Sequence, residues 1–167
     1  MTTPPSWSCE QSAALYGLDR WSQGMFGTNE RGHVVLRVGP GGHDIDMKDL
    51  VDEIRLRGME LPVLFRFTDI LQRRLDELAE AFAAAARARG YRGSYRGVYP
   101  IKVNQHRHVI EDLVALGREH HVGLEAGSKS ELLVAIAYLD DPEAILVCNG
   151  FKDRDFVRTA LSARRLG

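Results

Sequence analysis

Two side chains with the chemistry for covalent catalysis, Lys102 and Glu125, each lie where a short apolar strand is predicted to end. Lys102 follows the run Val-Tyr-Pro-Ile, and partial burial at such a strand end disfavours the ammonium form and lowers a lysine pKa. A neutral amine is the form that bonds to an aldehyde as a Schiff base. If the two strands are neighbours, Glu125 stands beside Lys102 and holds its charge. The pair therefore predicts Schiff-base chemistry at one edge of a sheet.

Position alone leaves structural alternatives open for each of these residues. From position alone, Lys102 fits better as an edge lysine whose stem packs and whose head group reaches water. Glu125 fits as a solvent-facing carboxylate near the start of a helix. Ser128 has the composition and spacing of an N-cap, with Glu131 three residues later as its capping-box partner.

The elements that must position these residues alternate regularly from Asp46 onward. Short apolar runs predict strands, and each is followed by a segment whose apolar residues recur every three or four positions, as in an amphipathic helix. Such alternation predicts βαβ units with a parallel sheet, whose functional groups gather at the carboxyl ends of the strands. The predicted strands cover residues 62–67, 97–102, 122–125 and 144–149.

The opening third of the chain has a different pattern. Ser8 and Gln11 form a predicted capping box at the start of a helix that Gly17 ends. A strand is predicted over residues 33–38, before a glycine-rich break at 39–42. Asp46 then caps the first helix of the regular region.

Composition excludes several classes of function. The 22 basic and 23 acidic residues give a net charge of -1, so no bulk field attracts nucleic acid or anionic lipid. No apolar run approaches the roughly 20 residues of a membrane helix, and no secretory signal is recognisable. Two cysteines favour a reducing compartment, so we expect a soluble, cytoplasmic protein. The histidines lack the spacing of a metal site, and none is predicted.

Long segments around the candidate residues resemble one family. The strings YPIKVNQHRHVIEDL around Lys102, LEAGSKSELL around Glu125 and VCNGFKDRDFV around Asn149 look like the bacterial biosynthetic arginine decarboxylases. The opening YGLDRWSQGMFGTNERGHVVLRV and the stretch LPVLFRFTDILQRRL are similar to the same family. The resemblance covers the chain from about Tyr16 onward.

The resemblance implies a cofactor, a reaction and a site. The family uses pyridoxal 5'-phosphate (PLP) on an alanine-racemase-like, TIM-type (β/α)8 barrel. Its cofactor lysine lies in a Tyr-x-x-Lys motif, which residues 99–102 match. Lys102 would therefore form the Schiff base with PLP, and Glu125 matches an acidic position near the cofactor. The implied activity is a lyase that converts L-arginine to agmatine and carbon dioxide in polyamine and spermidine biosynthesis, with magnesium as a further cofactor.

The same resemblance implies a domain organisation. Residues 1–45 would form an N-terminal segment with a helix and a strand belonging to a β domain, and residues 46–167 the first part of the PLP-binding barrel. A closed (β/α)8 barrel takes about 250 residues. The expected α/β fold is therefore a partial barrel, the N-terminal fragment of a longer homo-oligomeric enzyme, with little activity of its own.

Other functions remain open at this point. The chain could be a non-catalytic homologue that binds PLP or a partner, or a decarboxylase of the same fold for another basic amino acid. A flavodoxin-like open sheet also suits several β/α units, although no strand end offers a convincing phosphate-binding turn.

Overall fold

The computed structural model describes residues 7–37, 39 and 43–165. The chain divides into two compact units, Met1–Arg66 and Phe67–Gly167. Each unit contains a three-stranded sheet, antiparallel in the first and parallel in the second.

The first unit begins with two short helices, α1 (Cys9–Tyr16) and α2 (Leu18–Ser22). The predicted capping box is confirmed, because the Gln11 backbone N–H donates to Ser8 Oγ at 3.2 Å and the Ser8 N–H donates to Gln11 Oε1 at 2.9 Å. Gly17 ends α1 in the left-handed conformation, as predicted.

The antiparallel sheet has the order β1-β2-β3, with strands Phe26–Thr28, Val34–Leu36 and Ile45–Asp46. The central strand β2 lies within the predicted strand 33–38, while Val38 and residues 40–42 of the predicted break at 39–42 lie outside the described residues. Helix α3 (Met47–Leu56) begins as predicted, since the Asp46 carboxylate accepts the backbone N–H groups of Lys48 and Asp49.

Helix α3 packs against β2 and β3 and so belongs to the first compact unit. The domain boundary predicted between residues 45 and 46 separates a segment of the β domain from the PLP-binding barrel, and it stays a prediction. Along the chain, the boundary between the two compact units falls between Arg66 and Phe67.

The strand predicted over residues 62–67 is wrong. The structure forms no strand there, and Leu64 is 79% exposed. An apolar run becomes a strand only when a neighbouring strand accepts its ladder of backbone hydrogen bonds, and neither sheet extends to this segment. The helix that follows, α4 (Thr68–Ala88), begins at one of the two residues predicted.

The parallel sheet of the second unit has the order β4-β5-β6 and confirms the predicted βαβ units. Its strands are Val98–Pro100, Gly123–Ala126 and Leu146–Cys148. The helices after them are α5 (Arg107–Leu116), α6 (Lys129–Tyr138) and α7 (Arg154–Ala163), and 3-10 turns cover Ile101–Val103 and Arg118–His120.

Strand β5 lies between β4 and β6, and all its residues are buried. Gly123 is required at its start, because a Cβ there would lie 2.0 Å from the carbonyl oxygen of Ile145, the residue just before β6. Two apolar clusters surround β5, one around Leu124 with Ile101, Ile110 and Ala135, the other joining Ala126, Leu132 and Phe156. Within the described ranges, no helix combines the length and hydrophobicity needed to cross a bilayer.

Candidate functional site

Lys102 lies just beyond the carboxyl end of β4. The strand ends at Pro100, two residues earlier than predicted, and Lys102 is the central residue of the 3-10 turn Ile101–Val103. Ile101 is fully buried, whereas 65% of the Lys102 side chain is exposed. The sequence predicted a partly desolvated amine. In the structure the desolvation of Lys102 is small, because the amine projects past the last paired residue into water. Its Nζ atom is open to reagents from solution.

Glu125 occupies the position predicted for it beside Lys102. It pairs with Pro100 of β4 on one side and Val147 of β6 on the other, and Lys102 Nζ lies 3.8 Å from its Oε1 atom. The solvent-facing alternative for this residue is wrong, since Glu125 is only 5% exposed. Consecutive strands are neighbours in this parallel sheet, which is why the prediction from strand order succeeded.

The Glu125 carboxylate is incompletely satisfied. Its buried Oε1 atom has no hydrogen-bond partner among the described residues, and the Lys102 ion pair at 3.8 Å is too long for one. A buried polar atom without a partner costs about 1–3 kcal/mol. Buried groups of this kind occur where a site is organised for a ligand rather than for stability.

The turn after β5 is held by Ser128 and Glu131. Ser128 Oγ accepts the Glu131 backbone N–H at 3.3 Å and caps α6, which confirms its predicted structural role. The predicted capping box is only half formed, because the Glu131 carboxylate accepts the Gly127 N–H at 2.7 Å instead of the Ser128 N–H. This anchoring role of Glu131 was missed, although the spacing from Ser128 singled the residue out.

The turns after β5 and β6 are also joined to each other. The Asn149 N–H donates to the Ala126 carbonyl at 2.8 Å, and Lys129 Nζ lies 2.7 Å from Asp153 Oδ2. The hydrogen bond from Lys129 lowers the pKa of the Asp153 carboxyl, and the Phe156 N–H that Asp153 caps lowers it further. The same hydrogen bond raises the pKa of Lys129. The carboxyl edge of the sheet is thus cross-linked around Glu125.

Two of the histidines each lie within hydrogen-bond distance of a carboxylate. His120 Nε2 is 2.7 Å from Asp76 Oδ1, and His121 Nδ1 is 2.8 Å from Asp141 Oδ2. Hydrogen bonding to His120 lowers the pKa of Asp76. Both histidines immediately precede β5, so they lie at its amino end, opposite the end that carries Glu125.

Sequence reasoning missed one cluster of potential metal ligands. Ligand atoms of His33, Asp46 and Asp49 lie within 4.8 Å of one another in the first unit. Arg31 already supplies a cation there, since its Nη1 atom is 2.7 Å from Asp49 Oδ2. Asp46 also caps α3, so the cluster has a structural explanation. No spacing motif links these residues, because the antiparallel strands bring them together.

The Lys102–Glu125 pair has the properties of a site for an aldehyde cofactor. An exposed primary amine is accessible to an aldehyde, and a buried carboxylate nearby can hold the charge of the resulting cationic nitrogen. The orphaned Oε1 atom of Glu125 leaves an acceptor for a ligand that reaches this edge. The residues present therefore fit covalent attachment of PLP to Lys102.

Comparison with known proteins supports this interpretation. Residues 74–165, more than half of the chain, match the family model described as "Pyridoxal-dependent decarboxylase, pyridoxal binding domain". Among curated relatives, the biosynthetic arginine decarboxylases of Prochlorococcus marinus (strain MIT 9303) and Thermosynechococcus vestitus are 52% and 48% identical, over 97% and 100% of the chain. The chain spans 25% and 26% of the length of these two relatives.

The fold is also similar to a solved structure. The crystal structure of the biosynthetic arginine decarboxylase SpeA from Campylobacter jejuni matches with a TM-score of 0.83 and 36% sequence identity. The match covers 91% of this chain and 25% of that one. It confirms the predicted α/β class and the incomplete PLP-binding barrel, as well as the resemblance that the motifs indicated. The chain belongs to the pyridoxal-dependent decarboxylases, and residues 74–165 match the pyridoxal-binding domain of that family.

Proposed function

We propose that this chain contributes the lysine-bearing part of a PLP-dependent enzyme that decarboxylates L-arginine to agmatine and carbon dioxide. The observation that carries the proposal is the placement of the Lys102 amine 3.8 Å from a buried carboxylate, within a domain matched to the pyridoxal-binding family. The chain spans about a quarter of its curated relatives, so the activity is proposed for the complete protein.

Each residue of the pair has a distinct role in this proposal. Lys102 Nζ would hold the cofactor through its aldehyde carbon, because it is an accessible amine that lies beside the buried Glu125 carboxylate. Bound PLP supplies an electron sink for the carbanion that forms when carbon dioxide leaves. Glu125 would hold the positive charge on Lys102 Nζ and orient the amine, since β5 is buried and fixes its backbone.

Arginine as the substrate is supported by the relatives and by the whole-segment resemblance. The named relatives are all biosynthetic arginine decarboxylases, and they align over nearly the whole chain. A decarboxylase for another basic amino acid and a non-catalytic PLP-binding homologue are the alternatives to be distinguished by experiment.

Four finer proposals depend on the same resemblance. They are a role in spermidine biosynthesis, a requirement for magnesium, a homo-oligomeric enzyme and a cytoplasmic location. Cys9 and Cys148 are free, which suits a reducing compartment. The other three stay predictions from the resemblance.

The proposal is tested on the intact polypeptide that carries these residues. PLP is added, the adduct is reduced with borohydride, and peptide mapping locates the labelled lysine. We expect the label on Lys102, with carbon dioxide and agmatine released from arginine and little from ornithine or lysine. Lys102→Ala should lose the label and the activity, whereas Lys152→Ala, which removes an exposed lysine after β6, should keep both.

The outcomes separate the alternatives. A label on Lys102 without decarboxylation would favour the non-catalytic homologue, and preferential turnover of ornithine or lysine would change the substrate. A label on another lysine, or full activity in Lys102→Ala, would overturn the proposed site.

A further inference from the structure

The turn after β6 approaches the turn after β5 unusually closely at Gly150. Gly150 has a φ of +74°, in the left-handed region. A Cβ atom on this residue would lie 2.4 Å from the Gly127 carbonyl oxygen and 3.2 Å from its carbonyl carbon. Because both neighbouring atoms belong to the backbone, a side chain at position 150 would force one of the two turns to move.

Gly127 in turn borders the Glu125 carboxylate. An ideal Cβ on Gly127 would lie 3.8 Å from Glu125 Oε1 and 3.5 Å from Glu131 Oε2. The Gly127 N–H is held by Glu131 at 2.7 Å, and the preceding carbonyl, of Ala126, accepts the Asn149 N–H at 2.8 Å. Gly127 is therefore fixed from both sides, and a shift of its peptide displaces the backbone two residues from Glu125.

The carboxylate is sensitive to such a shift because little else holds it. Oε1 has no hydrogen-bond partner among the described residues, and its nearest cation is Lys102 at 3.8 Å. The position of this oxygen thus depends on the β5 backbone and on the turn that Gly150 supports.

We propose that Gly150 is a positioning residue for the proposed reaction: its missing side chain lets the turn after β6 pack on Gly127 and so holds the Glu125 carboxylate at Lys102. This inference depends on the proposed function, because it assigns Gly150 to the same Lys102 site. It adds a residue with no reactive group, which acts only through the backbone that carries Glu125.

The test measures the chemistry of Lys102 directly. In the intact polypeptide at pH 7, PLP labelling of Lys102 is trapped with borohydride over a range of PLP concentrations and quantified by peptide mapping. In Glu125→Gln, we expect the PLP concentration at the midpoint of this profile to rise about five-fold, as the loss of a charge about 4 Å from the cationic nitrogen predicts in a water-like dielectric. Gly150→Ala should shift the midpoint in the same direction, and the double variant should shift no further than Glu125→Gln alone.

The matched control is Gly90→Ala. Gly90 also has a positive φ, of +60°, but a Cβ there would meet no atom within 4 Å. This substitution therefore introduces the same backbone strain without the clash, and it should leave the Lys102 profile unchanged. Should Gly150→Ala fail to fold, Gly150→Asn replaces it, because asparagine enters the left-handed region more readily but keeps the Cβ.

The results separate this inference from the proposed function. An unlabelled Lys102 in the unsubstituted protein would refute both. A labelled Lys102 whose profile moves in Glu125→Gln but not in Gly150→Ala would refute the role of Gly150 alone. A further shift in the double variant would also refute it, because Gly150 would then act independently of Glu125.

Discussion

Glu125 and Lys102 should affect stability in opposite directions when each is replaced alone. Glu125 is 5% exposed and carries an unsatisfied oxygen, whereas 65% of the Lys102 side chain is exposed. Burial of the unsatisfied carboxylate costs about 1–3 kcal/mol. Attraction to an amine about 4 Å away returns only about 1 kcal/mol in a water-like dielectric. The ion pair is therefore a net cost to the fold.

Glu125→Met removes the buried, unsatisfied carboxylate and leaves an exposed ammonium, which water solvates. We expect it to stabilise the protein by about 1 kcal/mol, within the range that follows from the two opposing contributions. Lys102→Met removes the cation that lies 3.8 Å from the carboxylate and should destabilise the protein by about 1 kcal/mol. Both substitutions should abolish or strongly reduce decarboxylation, since both residues belong to the proposed site.

Urea unfolding of the intact polypeptide at pH 7, followed by circular dichroism, measures both effects. With a slope of about 1–3 kcal/mol per molar urea, a change of 1 kcal/mol moves the midpoint by about 0.3–1 M. Lys152→Met, at an exposed lysine after β6, is the control and should move it little. Destabilisation by Glu125→Met, or shifts of the same sign in both variants, would refute the reasoning that Glu125 is retained for function at the expense of stability.

Three further perturbations follow from the structure. Asp46 has its pKa lowered to about 2, because hydrogen bonds from Asp49, His33, Asn29 and Lys48 outweigh its desolvation. The stability that Asp46 contributes is complete above the pKa of about 3.9 that an aspartate has in the unfolded chain, and it is lost as the pH falls toward 2. Between these pH values, Asp46→Asn should therefore lose less stability than the unsubstituted protein. The urea midpoint, measured as a function of pH, checks this. Equal losses would contradict this. Phe156, which is 1% exposed, should cost about 3–5 kcal/mol when replaced by alanine, whereas Val157→Ala, 42% exposed, should cost far less by the same urea assay. Similar costs at both positions would show that Phe156 is not a core residue. Removing magnesium with a chelator should lower arginine decarboxylation by the intact polypeptide, and added magnesium should restore it; activity that is indifferent to both treatments would refute the magnesium proposal.

The strand order illustrates how far sequence reasoning reached. Alternating apolar runs and amphipathic helices correctly predicted three parallel strands, and neighbouring order in the chain correctly predicted Lys102 beside Glu125. The prediction over residues 62–67 was wrong for a tertiary reason. That segment is as apolar as the others, but strand formation depends on a partner, which no local pattern reveals.

Burial was the second property that local patterns could not decide. The sequence predicted a partly desolvated Lys102 and left Glu125 between a solvent-facing and a site role. The structure gives the reverse distribution, with Lys102 open to water and Glu125 enclosed by β4 and β6. Exposure depends on where a strand ends and which strands flank it, and a shift of two residues at the end of β4 is enough to change it.

The sequence by itself determined the chemistry: which amine and which carboxylate the chain offers, and the order of strands and helices that brings them to one edge. These properties depend on residue types and on periodicities that are local. Only the tertiary structure decided that the carboxylate is buried without a hydrogen bond and that Gly150 packs on Gly127. Those facts arise from atoms far apart in the chain, because packing between strands and turns, not local sequence, sets distances of a few ångströms.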